Sequence, residues 1–242
     1  MSQENWAKDT ADGILIGFDH MPTPLKEHLL KSLQNRINIK NVYHVTEILY
    51  CLRKAYLARM HPNNIKMHPS STWHIYRGTT FDAAWSPLFD INQRTYKVER
   101  EGKTLTGKLD FVWRDEEKFE KVLYDLKMPK NVYYRKKEGA GKLYTEQVQC
   151  YLAMGHENKE LLDVHRCRVM FLADDLVIAE VPMNDKILDY VFDRIYKLSD
   201  AVETKDSSKL EGPTEAWECK VPYCMAPAWY REECAKCPKY PL

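Results

Sequence analysis

The chain has 242 residues, of which 44% are hydrophobic and 29% are charged, and its formal net charge is +1. This length predicts one large domain, or one domain with a small appendage. The near-neutral charge excludes a global basic field, so any attraction for nucleic acid must come from a local patch. No apolar run approaches the roughly 18 residues of a membrane span, and the polar N-terminus has no signal-peptide pattern, so we expect a cytoplasmic protein.

Helices are predicted from apolar spacing and capping residues over 23–36, 44–60, 75–89, 143–155 and 185–204, with Gly155 as the stop of the fourth. Strands are predicted at 94–99, 104–113 and 119–127 as an antiparallel meander, and a further hairpin covers 165–182. Residues 130–142 are predicted to form a basic loop. This order of elements predicts an α/β fold with a mixed, twisted sheet flanked by helices.

An acid and a lysine end the strand that is predicted at 119–127. Asp125 and Lys127 are two residues apart, so their side chains lie on the same face of a strand. Asp110 ends a similar apolar run one short turn upstream. Two aspartates on adjacent strands can bind one Mg²⁺ or Mn²⁺ ion, and a lysine beside them can orient an attacking water or offset phosphate charge. The pattern predicts a phosphodiesterase site.

A helix with Gln147 and Tyr151 at i and i+4 follows this pair. The order Gly-x-x-Asp, Asp-x-Lys and Gln-x-x-x-Tyr resembles the RecB-like branch of the PD-(D/E)xK (restriction-endonuclease-like) nuclease superfamily. The resemblance implies that Gln147 positions Lys127 or the DNA backbone, and that Tyr151 packs near the scissile phosphate. The family usually has a histidine four residues after a glycine on an earlier helix. Here that position is Asp82, four after Gly78, and His74 is the alternative metal ligand.

Seven cysteines are present, and four of them lie near the C-terminus. Their clustering in an intracellular chain indicates metal binding and not a disulfide framework. The four tail cysteines could close a zinc site alone, whereas one distant cysteine with three close ones is typical of an iron–sulfur cluster. Cys150 and Cys167 lie on apolar faces and are predicted to be core residues.

Cys51, followed by Arg53 and Lys54 on an early helix, favours the cluster. Together with the tail it resembles the CRISPR-associated RecB-like exonucleases with an iron–sulfur cluster, to which AddB-type and viral homologues are near relatives. The resemblance implies a [4Fe–4S] cluster that ties the tail to the 44–60 helix. Its ligands would be Cys51, Cys219, Cys224 and Cys237, with Cys234 as the alternative to Cys237.

The resemblance also implies three segments: an N-terminal helical extension (1–42), a nuclease core (43–210) and a cluster-binding tail (211–242). The implied activity is a Mg²⁺- or Mn²⁺-dependent exonuclease for single-stranded DNA ends in CRISPR spacer acquisition, with the integrase complex as a partner. The alternatives are a DNA-binding or assembly module with weak or lost cleavage, and a viral or recombination nuclease.

A local basic and aromatic patch follows the predicted catalytic lysine. Basic residues track phosphates, and aromatic rings stack on unpaired bases. The predicted DNA-binding residues are Lys130, Tyr133, Tyr134, Arg135, Lys136, Lys137 and Lys142, with Arg53 beside the cysteine.

Overall fold

The computed structural model describes residues 9–10, 13–14, 23–24, 39–62, 69–115, 119–129, 131–213 and 218. Two short strands near the N-terminus, β1 (Asp9–Thr10) and β2 (Gly13–Ile14), pair with each other in antiparallel fashion. Of the helix predicted at 23–36, only 23–24 falls within the described ranges, where it is helical, and the rest lies outside them. None of the described helices is both long and apolar enough to cross a membrane.

A three-stranded sheet forms one part of the core. Its strands are β3 (Val42–His44), β5 (Thr95–Arg100) and β6 (Lys103–Lys108), in the order β3-β6-β5. The pair β3 and β6 is parallel, whereas β5 and β6 form an antiparallel hairpin. The hairpin turns through Glu101 and Gly102, which both have positive φ, as two-residue hairpin turns require.

A five-stranded sheet forms the other part. It contains β4 (Ile91–Asn92), β7 (Phe111–Asp115), β8 (Glu120–Lys127), β9 (Val164–Leu172) and β10 (Leu176–Val181), in the order β10-β9-β8-β7-β4. Only β8 and β9 are parallel, so the sheet is mixed. The predicted hairpin near 165–182 is confirmed as β9 and β10.

The single strand predicted at 104–113 is wrong, because the chain leaves one sheet and enters the other within it. Strand β6 ends at Lys108 and β7 begins at Phe111. Between them the amide of Leu109 donates to the carbonyl of Arg94, and the carbonyl of Asp110 accepts from the amide of Gln93. The two residues thus form a corner at which the hydrogen-bond partners change.

Six helices complete the described chain: α1 (Val45–Leu49), α2 (Leu52–Met60), α3 (Pro69–Trp85), α4 (Tyr133–Glu138), α5 (Lys142–Glu157) and α6 (Ile187–Thr204). The predicted 44–60 helix is interrupted at Tyr50 and Cys51, so it is two helices. The 75–89 helix begins earlier, at Pro69, and continues as a 3₁₀ turn over Ser86–Leu88. The predicted basic loop contains α4.

The prediction that Gly155 ends its helix is wrong. Helix α5 continues to Glu157, and a Cβ atom at Gly155 would lie 2.3 Å from Cδ1 of Leu161. This glycine therefore allows the close approach of Leu161 to the helix.

The main core lies between the helices and one face of the sheets. Its buried residues come from α1, α2, α5, α6 and both sheets. A smaller cluster of Phe111, Val122 and Tyr124 covers the opposite face of the five-stranded sheet, where Phe111 stacks on Tyr124 at a centroid distance of 5.3 Å. The chain is thus a mixed α/β protein with mixed sheets flanked by helices.

Candidate active site

Asp125 and Lys127 lie on the core face of β8, as their spacing predicts. Leu123, on the same face, is fully buried in the main core, whereas Tyr124 points to the opposite cluster. The Asp125 carboxylate is 1% exposed, and its Oδ2 lies 2.6 Å from Nζ of Lys127. Oδ2 is therefore ion-paired with Lys127, and no other group among the described residues donates to it.

Asp110 occupies the corner between β6 and β7. Because Phe111 is paired with Tyr124, Asp110 comes next to the end of β8. Its Oδ2 accepts a hydrogen bond of 2.6 Å from the amide of Leu126. This contact holds the Asp110 side chain against the same strand that carries Asp125 and Lys127.

Helix α5 contributes Gln147 and Tyr151, which are both buried. Nε2 of Gln147 lies 2.8 Å from the Tyr151 hydroxyl and 3.5 Å from Oδ1 of Asp125. The helix therefore places one amide group over the buried carboxylate, and the tyrosine hydroxyl fixes the orientation of that amide.

The site carries three carboxylates in a poorly solvated place. Burial raises the pKa of Asp82 to about 6, and the nearby charge of Asp110 adds to this, while Lys108 and Lys127 oppose it. Burial also raises the pKa of Asp125, against the effect of Lys127. Burial disfavours the charged Lys127, but Asp125 and Asp110 outweigh it, so the lysine pKa is raised. The site as a whole favours an added cation.

Asp82 belongs to α3, which is attached to the end of β8 by Arg77. Nη2 of Arg77 donates to the carbonyls of Met128 and Pro129, at 2.8 and 3.1 Å. The alternative ligand His74 is in the same helix, but its side chain is outside the described part. Eight residues separate the two positions, about 12 Å along a helix, so they cannot serve the same ion together.

Among the described residues, no group of three or more His, Cys, Asp or Glu side chains is arranged to hold a metal ion. A Mg²⁺ site of the phosphate-handling kind needs only one or two carboxylates, because water and substrate oxygens supply the rest. Among the described residues the buried Oδ2 of Asp125 has only the Lys127 ammonium as a partner, so it could also serve as such a ligand. Asp110 and Asp125 are accordingly the residues that could hold an ion.

Four residues near this site were not predicted from the sequence. The ring of Tyr144 lies beneath Nζ of Lys127, 5.4 Å from its centroid. Burial raises the pKa of Tyr50, while the nearby charge of Lys127 lowers it and that of Asp125 raises it. Arg77 fastens α3, and the exposed Lys108 offsets the charge of Asp82. Only Lys108 had a visible signal, since it lies between the motif residues Gly107 and Asp110.

The predicted DNA-binding residues divide into two groups. Tyr133 and Tyr134 are 70% and 63% exposed, and Lys137 is also exposed. The cations Arg135, Lys136 and Lys142 contact Ala140, Asp175 and Glu146, respectively, and both lysines are also exposed. Lys130 lies outside the described residues.

Arg53 was predicted as a backbone contact, and its position does not suit that role. It is buried and donates from Nε to the carbonyl of Leu210 and from Nη2 to that of Ser208. Its guanidinium therefore holds the chain that follows α6, and it is not available as a surface cation.

Cys51 is buried at the interruption between α1 and α2, where it is the N-cap of α2. Its amide donates a 2.8 Å hydrogen bond to Oε2 of Glu218, the residue that precedes Cys219 in sequence. Cys150 and Cys167 are fully buried, as predicted for core residues. The four tail cysteines, Cys219, Cys224, Cys234 and Cys237, lie outside the described residues.

Comparison with known proteins shows the fold and no family. No protein-family model matches the chain, and no curated protein matches it. Fourteen chains of known structure do match. One of them, "Crystal structure of SSO0001", has a TM-score of 0.58 and 15% sequence identity, over 90% of this chain and 96% of that chain. At this identity the similarity extends to the fold, and the site must carry any functional argument.

Proposed function

We propose that the protein is a metal-dependent DNA exonuclease of the RecB-like PD-(D/E)xK type that acts on single-stranded ends. The observation that carries this proposal is the meeting of three sequence motifs around one buried carboxylate. Asp110, Asp125 with Lys127, and Gln147 with Tyr151 come from a corner, a strand and a helix. A structural role alone would not require an aspartate with 1% exposure.

In this proposal Asp110 and Asp125 hold Mg²⁺ or Mn²⁺, and Asp82 or His74 adds a further ligand. The ion, when bound, would polarise the phosphodiester and lower the pKa of a coordinated water. Lys127 donates hydrogen bonds to the attacking water or the phosphate oxygens. Gln147 limits the rotation of the Asp125 carboxylate, because its amide is held by Tyr151 at 2.8 Å.

The charges of the site are compatible with this chemistry. When ionised, the three aspartates outnumber Lys127, so the site would be negative and would suit a divalent cation. The exposed Lys108 and Lys137 then supply local positive charge, which the near-neutral chain lacks globally. Tyr133 and Tyr134 offer exposed rings on which unpaired bases can stack.

We further propose that Cys51 and three tail cysteines bind a [4Fe–4S] cluster. The hydrogen bond from the Cys51 amide to Glu218 supports this, because it joins the early helices to the residue that precedes Cys219. The choice between Cys237 and Cys234 as the last ligand stays open, as does zinc in place of the cluster. Spacer processing with a CRISPR integrase complex is the biological role that we propose, and a viral or recombination role is the alternative.

Cleavage of labelled single-stranded DNA with Mn²⁺ tests the enzyme. We expect digestion from an end by the wild type, and a loss of at least about a hundredfold in Asp110→Ala and Lys127→Ala. A cluster-loaded wild type that binds DNA and leaves it intact would contradict the nuclease proposal.

That outcome would support a binding or assembly module instead. The specific observation that favours this second candidate is that Lys127 and the Leu126 amide already occupy Asp125 and Asp110. Iron and zinc analysis of protein purified without air tests the cluster, and a colourless protein with zinc and no iron would overturn it.

A further inference from the structure

Side chains from distant parts of the sequence hold the interruption between α1 and α2. Two helices that meet end to end leave carbonyls of the first and amides of the second without helical partners. Here those groups lie in the core, where unpaired polar groups are costly. Ile48 is completely buried and Cys51 is 7% exposed, so water cannot easily serve them.

Arg194 of α6 satisfies the carbonyl side of the interruption. Its Nε donates to the carbonyl of Ile48 and its Nη2 to the carbonyl of Tyr50, both at 2.8 Å. Arg194 is 1% exposed, and Glu211 pairs with its Nη1. A buried arginine is destabilising unless it is paired and hydrogen-bonded, and each guanidinium nitrogen of Arg194 has a partner.

Glu218 satisfies the amide side. Its Oε2 accepts from the Cys51 amide at 2.8 Å, at the first turn of α2, where a helix favours a negative charge. Arg53, two residues further on, donates to the carbonyls of Leu210 and Ser208. The chain between α6 and the cysteine tail is thereby fastened to both sides of Cys51.

The helix that ends at the interruption also reaches the candidate active site. Tyr50 follows α1, and its carbonyl is held by Arg194. Val45 of the same helix packs against Gly107 together with Tyr151, since a Cβ atom at Gly107 would lie 2.8 Å from Cγ2 of Val45 and 2.9 Å from Cε1 of Tyr151. The interruption therefore joins Cys51 to a helix that packs beside the tyrosine whose hydroxyl orients Gln147.

We propose that Arg194 and Glu218 are positioning residues that hold Tyr50 and Cys51 in one conformation and so couple Cys51, through α1, to the Asp125–Lys127 site. This inference rests on the proposed function, which assigns cluster binding to Cys51 and ion binding to Asp125. Its structural part, the fixing of Cys51 and Tyr50, stands independently of the metal at either site.

The test uses Arg194→Met, Glu218→Ala and the matched control Lys197→Met in the full chain. Lys197 lies on the same helix as Arg194 and pairs with Asp193 and Glu211. Its described ion pairs include no residue of α1. Cys51 alkylation in metal-free protein is followed by peptide mass spectrometry. We expect the rate of Cys51 alkylation to increase about tenfold or more in Arg194→Met and Glu218→Ala, because each of these two variants loses a charged hydrogen bond. We expect no increase in Lys197→Met.

Mn²⁺ affinity of the same metal-free proteins reports the other side of the coupling. We expect several-fold weaker Mn²⁺ binding in Arg194→Met, with Lys197→Met unchanged. Unchanged Cys51 alkylation in both Arg194→Met and Glu218→Ala overturns the proposal, and faster alkylation with unchanged Mn²⁺ affinity overturns the coupling through α1. If Arg194→Met does not fold, the result for Glu218→Ala tests the proposal, because that substitution removes only the acceptor of the Cys51 amide.

Iron content and DNA cleavage of the wild type separate this inference from the proposed function. A wild type without iron or without cleavage contradicts the cluster or the nuclease, respectively. The alkylation rates are measured in protein without cluster or divalent ion. They therefore test by themselves whether Arg194 and Glu218 position Cys51.

Discussion

Gly107 and Tyr151 are packed so closely that a Cβ atom at Gly107 would lie 2.9 Å from Cε1 of the tyrosine ring. Val45 closes the other side, with Cγ2 at 2.8 Å from the same point. The glycine of the Gly-x-x-Asp motif therefore lets α5 approach β6. This approach is what brings Gln147 within reach of Asp125.

Replacing Gly107 by alanine should disturb the site from a distance. The added methyl group must displace Tyr151 or Val45, and overpacking of this kind costs about 1–3 kcal/mol. We expect a lower melting temperature and reduced cleavage in the same variant. Gly78→Ala is the control, because nothing lies within 4 Å of its Cβ position and alanine favours a helix. Equal cleavage by both variants would show that the contact is unimportant.

Gln147→Met should lower cleavage much more than stability. The substitution keeps the volume of the side chain but removes the amide that lies over Asp125, and we expect a rate loss of about tenfold to a hundredfold. Gln149→Met is the matched control. That glutamine is buried on the same helix and donates to the carbonyl of Pro182 at 2.6 Å, away from the site. Comparable rate losses in the two variants would assign Gln147 a structural role.

Stabilisation by Mn²⁺ should increase with pH between about 5 and 7. The folded-state pKa of Asp82 is raised to about 6, so the folded protein holds this proton more tightly than the unfolded chain. Without metal, ionisation of Asp82 therefore costs stability as the pH rises from about 4 to about 6. A metal ion reverses the effect, because it binds the ionised carboxylates and releases their protons.

Thermal unfolding with and without Mn²⁺ across this pH range measures the effect. Asp82→Asn should flatten the pH dependence of the Mn²⁺-induced shift in melting temperature. A variant whose shift follows the wild-type curve at every pH would remove Asp82 from the ion site and favour His74.

Single-stranded DNA should bind through aromatic stacking on α4 and not through its paired cations. Tyr133→Ala and Tyr134→Ala should each weaken binding by about 1–3 kcal/mol, the usual contribution of one stacked base. Lys136→Met should have a small effect, because Asp175 already pairs with this lysine. Fluorescence anisotropy with a labelled oligonucleotide in a catalytically inactive variant measures all three. A larger loss for Lys136→Met than for the tyrosines would contradict this assignment.

The residues of the candidate site could be predicted because their signals are local. The spacing of Asp125 and Lys127 fixes a common strand face, and that of Gln147 and Tyr151 fixes a common helix face. Two of the errors in element boundaries, the interrupted helix and the divided strand, have distant causes. Arg194 stabilises the interruption at Cys51 across 144–146 residues of sequence, and the corner at Asp110 depends on Gln93 and Arg94.

The basic segment after β8 shows a similar limit. Its composition predicts a loop of free cations, but Arg135 stacks on Tyr144 and Phe171, and Lys136 pairs with Asp175. Partners from other parts of the chain are invisible in the segment itself. Burial of Arg53 follows the same rule, since its acceptors are about 155 residues away.

The position of Arg194 also bears on the order of events during synthesis. The carbonyls that it holds emerge from the ribosome 144–146 residues before the arginine itself. Until α6 is made, the nascent α1–α2 segment carries unpaired polar groups at a place that must be buried. We therefore expect the N-terminal half to remain loosely folded during translation and to consolidate in a late step, so that a chain stalled before α6 becomes a substrate for chaperones and proteases.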